Sequence, residues 1–165
     1  MRPVQIPWLV VALLLGAVGG AGLSHLVAAR GAAIPVAGWF TGALLLAAAG
    51  VLLAFGLPLR RYMRESEERR ATPTTAPRRH HIDMTTAYRT VLLARSAAIT
   101  GAIVGGVFLG QALQLVGGGG GDLVRAVLPT LFAALGGIVF GIVGVIVERW
   151  GILPPEEGTG AAERA

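Results

Sequence analysis

The stretch AYRTVLLARSAAITGAIVGGVFLGQALQLV, residues Ala87–Val116, decides the fold. From Ser96 to Val116 it carries no charged residue. About 20 such residues, rising 1.5 Å each, cross roughly 30 Å of hydrocarbon. The run therefore reads as a membrane-spanning helix. Arg95 stands at its edge, and a guanidinium in hydrocarbon is costly enough to require an account.

Working outward, three more runs have the same character: Trp8–Ala29, Val36–Leu59 and Ala126–Val147. The composition agrees. Charged residues make up 14% of the 165 and hydrophobic ones 54%, with mean hydropathy +0.69. A soluble domain carries about 25% charged residues. The expected fold is an all-α integral membrane protein with four transmembrane helices in one domain over residues 1–153. The polar residues 154–165 form an expected disordered tail. The apolar part of a secretory signal covers about 7–15 residues, shorter than the first run, and only Arg2 precedes that run. The first helix is expected to be retained.

The connections are unequal. RGAAIP joins the first two runs and GGGGGDLVR the last two, whereas residues 60–89 between them hold most of the arginines. By the positive-inside rule this basic segment is expected in the cytoplasm. That places both termini in the cytoplasm, with the protein as two helical hairpins joined by a basic loop. Trp8, Trp39, Tyr62, Tyr88 and Trp150 fall at the run ends, where amphipathic rings prefer the headgroups. Within the loop, RRYMRESEERR is expected to continue the second helix, with Arg61, Glu65 and Arg69 at i,i+4 spacing. ATPTTAP reads as a hinge, and Asp83 offers an N-cap for the third helix. The net charge of +5 is explained by membrane orientation, without a nucleic-acid partner.

Every run contains glycines at i,i+4: Gly16 with Gly20, Gly38 with Gly42, Gly101 with Gly105, and Gly137 with Gly141. Such a pair leaves a flat face on which another helix can pack closely. These eight are the candidate packing residues, within one chain or between copies. Arg95 shares a face with Ala98, Ala102 and Gly106. Two accounts of it stand. In the plainer one it snorkels, its stem in the apolar zone and its guanidinium among headgroups. In the sharper one it pairs with Glu148, which ends the fourth run at a comparable depth.

The remaining polar residues mark no chemistry. No cysteine is present, so thiol nucleophiles and thiolate metal sites are excluded. His80 and His81 adjoin one another without nearby acids, and His25 reads as interfacial. Gln111 and Gln114 are candidates for hydrogen bonds between helices. Thr100 shares a face with Gln111, but two neutral residues do not make a pathway. No carboxylate lies inside a span, and no nucleophile–base pair or phosphate loop occurs. No catalytic residue, cofactor or metal site is expected.

LLARSAAITGAIVGG (Leu92–Gly106), GQAL (Gly110–Leu113) and VERWGILPP (Val147–Pro155) resemble a family of small actinobacterial four-span membrane proteins, an uncharacterised domain of unknown function. The resemblance implies the same topology and no catalytic residue. Members are often encoded near folate-biosynthesis genes, which implies a context and not an activity. Two function classes remain. One is a non-catalytic membrane protein packing with itself or with a partner membrane protein. The other is a small transporter or permease subunit acting as an oligomer. The lack of acids within the spans favours the first.

Overall fold

The computed structural model describes residues 5–33, 36–71, 84–118 and 122–151. These form four helices: α1 (Ile6–Ala29), α2 (Trp39–Ala71), α3 (Met84–Gly117) and α4 (Leu128–Trp150). A π-helical turn, Leu123–Val127, leads into α4. All four are long and apolar enough to cross a membrane. The candidate N-cap Asp83, the hinge, His80, His81 and the tail 154–165 lie outside the described residues.

Local chemistry sets the boundaries. Pro7 sits in the first turn of α1, where a missing N–H costs nothing. Gly31, at φ +71°, ends that helix in the left-handed conformation, and the Ala32 N–H reaches back to the Val27 carbonyl, as a Schellman stop requires. The structure starts the last helical segment earlier than the sequence suggested. Asp122 Oδ1 accepts from the N–H groups of Val124 (3.1 Å) and Arg125 (3.4 Å), so the turn begins directly after the glycines. At the other end of the molecule α2 does continue into the basic segment, through Ala71. There Arg64 pairs with Glu68 at 3.3 Å, an i,i+4 pair on the same extension as Arg61 and Glu65.

The packing order departs from chain order. α3 and α4 form a central antiparallel pair, α1 lies against α3, and α2 lies against α4. Although a short connection joins them, α1 and α2 make no helix contact with each other. The spatial order is thus α1–α3–α4–α2. Both flanking seams are parallel. Along α1, Leu13 and then Ala17 meet Gly106 and then Gly110; along α2, Gly42 meets Phe132 and Gly56 meets Val147.

Small residues allow these approaches. The core contains mainly alanine and glycine, and its largest fully buried side chains are Val147 and Thr130. Thr130 satisfies its hydroxyl on the Ala126 carbonyl at 2.7 Å. A methyl added at Gly101 or Gly137 would strike the backbone of the facing helix, at Gly141 and Gly105 respectively. Gly105 faces Ile138, and Gly141 faces Ala98 and Ala102. Gly16 and Gly20 lie on the backbone of α3 at Ile103 and Val107. Gly38 differs: it precedes the first residue of α2 and has nothing within 4 Å of where its Cβ would be. It is a connection residue with no helix upon it.

Candidate functional site

Because α1 and α2 stand apart, one face of α3 forms the floor of a valley between them. Leu93, Ala97, Thr100, Val107 and Gln111 follow one another along that face at steps of three, four or seven. Two cavities succeed each other there. The end of the molecule holding Arg60, Arg61 and Arg89 is called the basic end below, and its opposite the far end. Near the far end, a cavity of about 320 Å³ is walled by α1 and the start of α2. Toward the basic end, one of about 560 Å³ lies between α2 and α3, with Phe140 of α4 behind it.

The far-end cavity is the more polar. Ser24 enters it from α1, Thr41 from α2 and Gln111 from α3. Ser24 and Gln111 are both buried. Just beyond, His25 Nδ1 lies 3.4 Å from Gln114 Nε2, an interhelical link between α1 and α3. No buried side-chain nitrogen or oxygen among the described residues lacks a hydrogen-bond partner. The second cavity is mainly apolar, with Ser96 and Thr100 on its floor. Ser96 donates its hydroxyl to the Leu93 carbonyl at 2.9 Å, a local bond that leaves little for a ligand.

Arg95 and Glu148 occupy different environments. Arg95 is exposed on α3, whereas Glu148 is 4% exposed on α4 beside the cluster of Leu52, Ala94, Ala97 and Val147. Ion pairs join Arg64 to Glu68 and Arg125 to Asp122. At the basic end Arg60 lies over the Trp150 ring, 5.0 Å from its centroid, which fixes an amphipathic ring beside a cation at one level. At the far end Trp39 packs on Phe132 with centroids 5.5 Å apart.

Among the described residues no group of three or more His, Asp or Glu stands ready to hold a metal ion. Ser24 and Thr41 were passed over in the sequence because single hydroxyls in apolar helices carry no signal of their own. Gly106 and Gly110 were passed over although their signal was present: they form a second i,i+4 pair on α3, about 140° around the helix from Gly101 and Gly105 at 100° per residue. Two such stripes announce two neighbours.

A family described as protein of unknown function (DUF3180) matches residues 9–155, and the chain belongs to it. No curated protein and no solved structure matches the chain.

Proposed function

We propose that this member of the family is a non-catalytic integral membrane protein that acts by packing, with a second copy or with another membrane protein, along the valley between α1 and α2. The observation that supports this reading is the separation of those two helices. It leaves Leu93 60% exposed, Leu44 58% exposed, and Thr100 and Ser96 exposed between them, where a further helix would fit. In a membrane the gain from such packing comes from close contact rather than from leaving water. Small and hydroxyl-bearing residues permit that contact.

The chain has no cysteine, so a single introduced one is unique. A photo-crosslinking residue at Thr100, activated in native membranes, should yield a doubled chain or one stoichiometric product with another membrane protein. Monomer alone, with the residue shown to be incorporated, would sink the proposal. The polar far-end cavity supports a second reading, a small transporter or permease subunit acting as an oligomer. Its mark would be a homo-oligomer in which Ser24 and Gln111 line water, detected as labelling of Ser24→Cys by a small soluble thiol reagent.

The orientation belongs to the same proposal: a bacterial plasma membrane with both termini and the basic connection in the cytoplasm. The orientation rests on the arginine distribution, and the bacterial membrane on the resemblance to actinobacterial proteins. In intact cells an impermeant thiol reagent should label Ala33→Cys and spare Thr74→Cys. The reverse pattern would invert the topology.

A further inference from the structure

A third depression lies away from the valley, where α1, α3 and α4 meet. It has a volume of about 280 Å³ and is lined entirely by apolar atoms, among them Leu9, Leu13, Ala98, Ala102, Ile142 and Ile146. On α1 it extends from Ile6 to Leu13, about 10 Å along the axis at 1.5 Å per residue. It is an elongated groove that runs along the bilayer normal.

The basic end of this groove carries a cation on each of two walls. On α3, Arg95 comes one turn before Ala98, on the face it shares with Ala102. On α4, which runs the opposite way, Arg149 comes one turn after Val145 and Ile146 and in line with Ile142. Both arginines are exposed, and neither forms an ion pair among the described residues. Arg149 directly precedes Trp150, which sits against Arg60, so the two guanidinium groups lie toward the level of the headgroups rather than at mid-depth.

We infer that this groove holds an acyl chain of an anionic phospholipid from the leaflet at the basic end, with its phosphate between Arg95 and Arg149. A guanidinium offers a planar fork of donors matched to phosphate oxygens, and two of them suit a group that presents several. The apolar floor suits a hydrocarbon chain and offers nothing to a polar ligand. A neutral zwitterionic lipid would fill the same groove but brings its own cation to the arginines. The site lies on the opposite side of α3 from Thr100 and stands whether or not a helix occupies the valley.

The test uses the full chain, delipidated in mild detergent and titrated with phosphatidylglycerol or phosphatidylcholine of identical acyl chains, with bound lipid counted by native mass spectrometry. The wild type should prefer phosphatidylglycerol by roughly thirtyfold, as two basic residues near the phosphate would give. Arg95→Gln with Arg149→Gln should bring that preference close to one. Each single variant should fall between, which keeps the test open should the double variant not fold. Ile142→Trp, which fills the groove from an exposed wall position, should weaken both lipids together. Arg64→Gln, an exposed arginine on the extension of α2, should leave the preference unchanged. Equal binding of the two lipids by the wild type would overturn the inference. So would an unchanged preference in the double variant, full binding by Ile142→Trp, or a loss in Arg64→Gln matching that in Arg95→Gln.

Discussion

Glycine serves α4 differently on its two sides. Toward α3 both helices present it: Gly101 and Gly105 face Gly137 and Gly141, Gly144 faces Ala94 and Ala98, and backbone meets backbone. Toward α2 the glycines act chiefly as notches, with the Phe132 ring seated on Gly42 and the Val147 methyl groups on Gly56. The difference lies in what can yield. A side chain can rotate or be trimmed, whereas two backbones in contact can separate only if whole helices move. The first seam should be rigid toward substitution and the second adjustable.

The largest effect is expected at Gly101→Ala, where the new methyl would press on Gly141 and on the Gly137 carbonyl. Overpacking of this kind costs about 3 kcal/mol or more when the surroundings cannot give. Unfolding in mixed micelles would measure it, and a loss under about 1 kcal/mol would break the distinction between the seams. Gly56→Ala should cost less, about 1–2 kcal/mol, because the nearest atoms it would meet all belong to the Val147 side chain. Its loss should shrink in a Val147→Ala background, with a coupling of at least about 0.5 kcal/mol. Strict additivity would mean that the side-chain seam is as unyielding as the other.

Gly50→Ala provides the reference. Nothing lies within 4 Å of the added carbon, so the change should stay within about 0.5 kcal/mol or improve stability through better helix propensity. The smallest expected quantity is the coupling between Arg95→Leu and Glu148→Gln. With Arg95 exposed and Glu148 buried, their losses should add to within about 0.5 kcal/mol. A larger coupling would show that an ionic contact, and not close packing alone, closes the basic end of the α3–α4 seam.

These seams also show where the sequence was informative. Span number was legible because hydrocarbon thickness imposes a length and forbids charge within it. Continuation of α2 past Leu59 was legible from the mixed charges of RRYMRESEERR. Helix partners were not. A stripe such as Gly16 and Gly20 shows that some helix lies close, but it does not name which, and chain adjacency pointed α1 to α2 rather than to α3. Gly38 has the right spacing from Gly42 yet lies outside the helix, since spacing says nothing about where a helix begins. For the candidate site, the shared face of Thr100 and Gln111 was visible along α3. The walls around it depended on the packing order and so were not.

The order α1–α3–α4–α2 has a consequence for how the chain is made. Helices enter a bilayer in the order of synthesis and associate afterwards. When α2 has just been laid down, neither it nor α1 has a native neighbour, because each waits for a helix two places later. Until then the notches at Gly16, Gly20, Gly42 and Gly56 face lipid tails. A ribosome halted after α2 therefore leaves two separate helices on one string rather than half of a bundle; α1 gains its neighbour when α3 enters, and α2 gains its main one only with α4.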